Sequence, residues 1–286
     1  MTHLGPYRLH TVDTGTFGLD GGAMFGIVPK PLWEQRIAPD DQNRISLHMR
    51  CLLLNGADRT ILIDTGIGDT FDGTKYADIY AVDRSETRLA TSLNDIGIAP
   101  DEITDVILTH LHFDHCGGST RRVGDDDHEV AFENATFYVQ RDHWEWATDP
   151  NPKEAGSFLA RNIQPLAESG QLQLVDGRTE IVDAVEVLPV HGHTRAQQMV
   201  KIAGEASTLV YVGDLLPTTH HLPAAWTMAY DVEPLRTIEE KAEFLHEAAR
   251  SGWDLFFEHD PDVAVASLEE TEHGIEPIRP RPLSAL

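Results

Sequence analysis

The stretch Thr109-His110-Leu111-His112-Phe113-Asp114-His115-Cys116-Gly117-Gly118 decides the fold, and the rest of the chain is organised around it. It follows a strand-like apolar run, residues 106–108. If strand geometry continues through His112, side-chain alternation puts His110 and His112 on one side, with Asp114 and His115 on the following turn. Imidazole suits zinc, and carboxylate adds harder oxygen ligation. The stretch therefore predicts a metal site.

Three later strand-like runs each end near a further histidine or aspartate: His193, Asp214 and His259. The order H-x-H-x-D-H, then His, Asp and His, spans roughly residues 45–260 and resembles the signature of the metallo-β-lactamase-fold hydrolases. The resemblance implies an α/β fold, the αββα four-layer sandwich of two mixed β-sheets flanked by helices. We expect one domain over residues 1–286, with an irregular C-terminal tail from about residue 272.

The resemblance also implies how the ligands divide between two metals. It gives His110, His112 and His193 to one metal, and Asp114, His115 and His259 to the second. Asp214 would bridge both metals together with a water or hydroxide, so Asp114 and Asp214 are the expected catalytic residues. The expected cofactors are two divalent ions, zinc first, with manganese, iron or cobalt as alternatives. Asp64, in a D-T-G motif, is expected to support the ligand loop by hydrogen bonds.

Several other residues that can bind metals are expected to have other roles. Cys116 follows a ligand directly, but the resemblance leaves it as a small buried thiol. His191 is more readily a neighbour of the site than a ligand, whereas His220 or His221 is a candidate to line the pocket and assist the leaving group. The acidic run 125–128 reads as a solvated loop rather than a cation site.

Composition restricts the partners and the compartment. The net charge is −25, from 47 acidic against 22 basic residues, and such a surface repels nucleic acid. No apolar run approaches the roughly 18 residues of a membrane helix. With two cysteines and no signal-like N-terminus, we expect a cytoplasmic protein whose partner is a small-molecule substrate. The sequence leaves open whether the protein forms a homodimer.

The expected substrate pocket is apolar, with walls from Met24, Phe25, Trp33, His220, Trp226 and Met228. Such a pocket beside two metals suits neutral esters, lactones or phosphotriesters, and a zinc-dependent esterase, lactonase or phosphotriesterase is our main interpretation. Acyl-homoserine lactonases resemble one another in a tyrosine shortly after the bridging aspartate. Here Pro217 stands at the third position after Asp214, in place of such a tyrosine. The N-terminal loop and the run 226–231 resemble the methyl parathion hydrolase type. The alternatives are an acyl-homoserine lactone lactonase, a thioesterase, a phosphodiesterase, or a catalytically silent binding protein.

Periodicity predicts the elements that carry these residues. A hairpin is expected over 48–54 and 60–66, and helices over 85–96 and 233–250. Residues 21–33 read as a loop with exposed apolar groups. Short runs at 172–175, 185–190, 199–202 and 208–212 are expected to form the second sheet.

Overall fold

The computed structural model describes residues 2–124, 127–272 and 274–286. Within these ranges the chain forms sixteen strands and eight α-helices. The strands are β1 (Thr2–Leu4), β2 (Tyr7–Asp20), β3 (Arg44–Asn55), β4 (Thr60–Ile63), β5 (Asp105–Ile107), β6 (Thr120–Arg122), β7 (His128–Val130), β8 (Thr136–Gln140), β9 (Leu172–Val175), β10 (Thr179–Val182), β11 (Val185–Val190), β12 (Gln197–Ala203), β13 (Thr208–Tyr211), β14 (Asp254–Phe256), β15 (Val265–Thr271) and β16 (Gly274–Arg281). The helices are α1 (Gly21–Phe25), α2 (Lys30–Trp33), α3 (Lys75–Ile79), α4 (Leu89–Asp95), α5 (Phe113–Cys116), α6 (Arg141–Thr148), α7 (Ala160–Glu168) and α8 (Pro234–Ser251).

Two seven-stranded mixed sheets form the centre of the molecule. The first has the order β1-β2-β3-β4-β5-β8-β9, antiparallel as far as β4 and parallel from β4 to β9. The second has the order β10-β11-β12-β13-β14-β15-β16, with β13 and β14 as its parallel pair. Strands β6 and β7 form a small separate ribbon.

Alternation along the strands divides the core into layers. Ile107 and Phe256 belong to one apolar cluster between the two sheets. Their neighbours face outward: Val106 packs under α4, α6 and α7, and Leu255 packs under α8. Each central strand is therefore buried on both faces, as its continuous apolar sequence requires. This confirms the predicted αββα sandwich.

The predicted hairpin and the long helix are confirmed, since β3 pairs antiparallel with β4 and α8 covers Pro234–Ser251. The helix predicted over 85–96 is shorter, Leu89–Asp95. No helix in the described ranges has the length and apolar character needed to cross a membrane.

Three local predictions are wrong. Residues 172–175 belong to the first sheet, where β9 pairs with β8, because a short apolar run carries no information about its distant partner. The tail predicted as irregular forms β16, which pairs with β15; its two prolines are compatible with an edge strand. Residues 21–33 contain α1 and α2, and their largest apolar side chains are buried. Of the acidic run, Asp125 and Asp126 lie outside the described residues.

Candidate metal centre

The ligand stretch is a loop that leaves the first sheet, rather than a continued strand. Strand β5 ends at Ile107, and α5 begins at Phe113. His110 and His112 nevertheless converge, with Nε2 of the first 3.0 Å from Nδ1 of the second. A Cβ added at Gly117 would lie 2.2 Å from the Ile67 carbonyl oxygen, so glycine lets this loop pack directly against the neighbouring backbone.

Asp64 holds that loop in place. It is fully buried, and its carboxylate accepts hydrogen bonds from the Thr109 amide and the Thr109 hydroxyl, both at 2.7 Å. The same carboxylate lies 3.0 Å from Nδ1 of His115. These contacts agree with the predicted supporting role, because they fix both ends of the H-x-H-x-D-H stretch.

Three imidazole nitrogens meet at one point of the site. Nδ1 of His112 lies 3.0 Å from Nε2 of His110 and 3.3 Å from Nε2 of His193. Nitrogen ligands at about 2.0–2.1 Å around a tetrahedral zinc ion would be separated by about 3.3–3.4 Å. The first sheet supplies two of the nitrogens, and the end of β11 in the second sheet supplies the third.

A second group forms beside the first. Nε2 of His259 lies 3.1 Å from Nε2 of His115 and 3.7 Å from a carboxylate oxygen of Asp114. Asp214 lies between the two groups: one of its oxygens is 3.3 Å from Nε2 of His193, and the other is 3.3 Å from Nε2 of His259. The structure thus brings all seven predicted ligands together.

The electrostatics of this cluster fit divalent cations. Oδ1 of Asp214 is buried and makes no hydrogen bond within the described residues. Burial alone raises the pKa of Asp214, but the imidazoles of His115, His259 and His193 more than offset it and hold that pKa well below its usual range. Burying several carboxylates together is costly unless they are paired or bind a metal. These residues therefore fit two divalent ions.

Each of the five histidines directs its other ring nitrogen toward a protein oxygen. The pairs are His110 Nδ1 with Thr109 Oγ1 (3.1 Å), His112 Nε2 with Glu154 Oε1 (3.4 Å), His115 Nδ1 with Asp64 and Glu258 (both 3.0 Å), His193 Nδ1 with Asp231 Oδ1 (3.0 Å), and His259 Nδ1 with the His48 carbonyl oxygen (2.7 Å). Such partners orient the rings of metal-binding histidines.

Sequence reasoning missed Glu154, Asp231 and Glu258. Glu258 could have been found, because it directly precedes a ligand at a strand end. Asp231 and Glu154 lie in irregular segments 38 and 42 residues from the histidines they face. No local pattern marks them, since only the tertiary fold brings them to the site.

A cavity of about 110 Å³ opens onto the metal centre. Five of the predicted ligands form one side of it: His112, Asp114, His193, Asp214 and His259. Glu154 lines the cavity beside His112, and the opposite wall is formed by Leu19, Met24, Tyr80, Phe113, Lys153, Ser157, Met228 and Tyr230. Lys153 is the one cation of this lining, and its ammonium group donates to the Asp231 carbonyl oxygen.

The structure brings two of the six predicted pocket residues, Met24 and Met228, to this cavity. Phe25 lies behind that wall, where it stacks on Trp33 and on the His221 ring. His220 and Trp226 line a separate cleft that also contains Arg36. The sequence could not distinguish these positions, because all are apolar or aromatic groups in segments whose sequence carries no clear helix or strand periodicity.

Two other histidines near the site, His221 and His191, have structural partners. His221 lies 2.9 Å from the Met24 carbonyl oxygen and 2.8 Å from the Thr218 hydroxyl, so it braces the cavity wall from behind. His191 accepts a hydrogen bond from the Ala196 amide and lies outside the described metal-binding groups. Burial raises the pKa of the Cys116 thiol, in agreement with a packing role.

Comparisons with known proteins agree with this arrangement. The chain is 30% identical over 176 residues to an N-acyl homoserine lactonase of Bacillus cereus, a match covering 59% of this chain and 63% of that enzyme. It is 26% identical over 244 residues to an N-acyl homoserine lactonase of Bacillus thuringiensis, covering 82% of this chain and 80% of the relative.

A crystal structure of a probable metal-dependent hydrolase from Staphylococcus aureus superposes with a TM-score of 0.89 at 29% identity, over 98% of this chain and 99% of that one. The profile of the metallo-beta-lactamase superfamily matches residues 50–267. The chain therefore belongs to the metallo-beta-lactamase superfamily, among its hydrolases.

Proposed function

We propose that this protein is a binuclear metal-dependent hydrolase of uncharged lactones and esters, with zinc as the metal. The observation that carries the proposal is the position of Asp214, whose carboxylate lies 3.3 Å from an imidazole nitrogen of each group, His193 through one oxygen and His259 through the other. When bound, two divalent ions lower the pKa of a water molecule and polarise the oxygen of the attacked carbonyl.

The ligands divide by distance. His110, His112 and His193 would hold one ion, and Asp114, His115 and His259 would hold the other. Asp214 would contact both. Three carboxylates contact the histidines from behind and keep the rings oriented in the absence of substrate: Asp64, Glu258 and Asp231.

Asp114 can transfer a proton to the leaving group during the reaction. It lines the cavity, and its carboxylate makes no hydrogen bond within the described residues. One oxygen is therefore free to hold a proton close to the leaving group and to return it when the carbon–oxygen bond breaks.

The opposite wall can orient the substrate. The hydroxyls of Tyr80, Tyr230 and Ser157 have no hydrogen-bond partner in the part of the chain that the structure describes. An ammonium group has three donors, and Lys153 uses one of them on the Asp231 carbonyl oxygen. The wall thus offers several donors, which suit the carbonyl and ring oxygens of a neutral substrate.

Charge and similarity favour neutral substrates, lactones among them. A surface at net −25 repels anions over long range, and Lys153 is a single opposing charge in the cavity. The two Bacillus relatives are both N-acyl homoserine lactonases. We therefore place N-acyl homoserine lactones first among the candidate substrates, ahead of aryl esters and phosphotriesters.

A substrate panel on the zinc-loaded protein tests the proposal. It should contain N-hexanoyl-homoserine lactone, phenyl acetate, paraoxon and bis-p-nitrophenyl phosphate, with metal content measured on the same sample. We expect kcat/KM to be highest for the lactone and lowest for the phosphodiester. A preference for the phosphodiester, or full metal loading without turnover of any member, would contradict the proposal.

A further inference from the structure

Lys241 is a buried cation that the proposed reaction does not use. It lies on α8 with its side chain among backbone oxygens, and the residue is 1% exposed. Its ammonium group donates to the carbonyl oxygens of His221 (2.8 Å), Pro223 (3.1 Å) and Trp226 (2.9 Å). An ammonium group has three donors, so these bonds use all of them. Lys241 makes no ion pair with a carboxylate in the part of the chain that the structure describes.

A charge at this position is costly to bury. Burial lowers the pKa of Lys241 to about 8, and the Asp231 carboxylate opposes that shift. The side chain is therefore mostly protonated at about pH 7. A methionine of similar length would fill the space without the cost of burying a charge. The feature that distinguishes lysine here is therefore its set of hydrogen bonds to the segment 221–226.

The segment 221–226 has little other support on one side. Residues 222–226 belong to neither a helix nor a strand. Within the described residues, the carbonyl oxygens of His221 and Trp226 accept a hydrogen bond from Lys241 alone. The cleft that His220 and Trp226 line, of about 740 Å³, borders the segment, so protein packing does not support it there.

The other side of the same segment supports the wall of the metal cavity. The His221 ring lies 2.9 Å from the Met24 carbonyl oxygen and stacks on Phe25, with the ring centroids 4.8 Å apart. The Trp226 ring packs edge-on against Phe25, at 5.6 Å between centroids. Met24 itself lines the cavity, as does Met228, two residues after Trp226. A displacement of the segment would therefore move both methionines.

We propose that Lys241 is a positioning residue for the hydrolysis: its ammonium group fixes residues 221–226, and through them the wall that contacts the substrate. The inference rests on the proposed function, because it concerns the same cavity. Lys241 would touch neither the substrate nor the metals. It would hold the backbone behind Met24 and Met228 in place, while their side chains stay free to adjust to the substrate.

Lys241→Met tests this role, because it keeps the apolar length of the side chain and removes all three donors. For N-hexanoyl-homoserine lactone at about pH 7, KM should rise about fivefold at nearly unchanged kcat, since wall contacts exist both before and during the reaction. The metal content should equal that of the unmodified protein. Ala248→Gly is the matched control, about two turns further along α8, because it destabilises the helix but removes no bond to residues 221–226. Its KM should be unchanged.

Hydrogen exchange followed by mass spectrometry gives a readout that needs no turnover. The amides of residues 221–232 should exchange at least about tenfold faster in Lys241→Met than in Ala248→Gly. Unchanged exchange, or faster exchange with an unchanged KM, would overturn the proposal. If the unmodified protein turns over no substrate, the proposed function fails, and the exchange rates still decide whether Lys241 fixes the segment. Lys241→Gln keeps two donors, should give a smaller change in both quantities, and replaces Lys241→Met if that variant does not fold.

Discussion

The two sides of the metal cavity are built in different ways. On the metal side, each histidine is fixed by a second contact through its other ring nitrogen. On the opposite side, Met24 and Met228 are held by apolar packing, and the hydroxyls of Tyr80 and Tyr230 have no described partner. The side chains of the metal side are therefore fixed before substrate binds, whereas those of the opposite side can change conformation around the substrate. Substitutions on the metal side should therefore reduce activity most. Substitutions on the opposite side should change KM by amounts that differ between substrates.

The largest effect is expected at Asp214. Asp214→Ala removes the carboxylate that faces both groups of imidazoles, so kcat/KM for a lactone should fall at least about 1,000-fold. Elemental analysis should find fewer metal ions per chain than in the unmodified protein. Retention of both metals with near-normal turnover would show that Asp214 does not connect the two groups.

Asp64 should have an intermediate effect. Asp64→Ala leaves all seven candidate ligands in place but removes the acceptor for Thr109 and His115, and we expect about a 10–100-fold loss of metal affinity or activity. Zinc titration of the metal-free protein measures the first quantity. If excess zinc does not restore any activity, Asp64 has a direct part in the reaction.

Met228 tests the adaptable wall. Its side chain is 4% exposed, and Met228→Ala removes apolar surface from the substrate side alone. For a hydrophobic lactone, KM should rise about fivefold while kcat changes little, because the contact exists both before and during the reaction. A fall in kcat at unchanged KM would instead place Met228 among the groups that act in the transition state.

The smallest effect is expected at Lys153. Lys153→Met keeps the length of the side chain but removes its donors, so KM should rise roughly threefold for an N-acyl homoserine lactone. An alkyl lactone without the amide carbonyl should be unaffected. Trp226→Ala is the companion variant: the residue lines another cleft and packs on Phe25 behind the cavity wall, so any change in KM should be the same for both lactones. Equal effects of Lys153→Met on both lactones would mean that Lys153 acts through Asp231 and His193 rather than on the substrate.

The difference between the metal side and the opposite side of the cavity also explains which residues could be predicted from the sequence. His110 to His115 are close in the chain, and His193, Asp214 and His259 each follow a strand, so the resemblance to a family motif was sufficient to find them. Tyr80, Lys153 and Tyr230 come from three irregular segments that only long-range packing brings together. Strand β9 and strand β16 were misassigned for a related reason, because their pairing partners are not encoded in their own residues.

The order of the strands has a practical consequence for protein engineering. The first sheet uses the chain up to Val175, the second begins at Thr179, and the backbone passes between them once. Residues 176–178 of this link are exposed, although the Gln140 side chain hydrogen-bonds the Gly177 amide and carbonyl, so the link is accessible to a designed cut. A cut there would leave four candidate ligands on one fragment and three on the other. We expect the two fragments to associate through the apolar cluster between the sheets and zinc to strengthen that association, which would make the fold a metal-stabilised split protein.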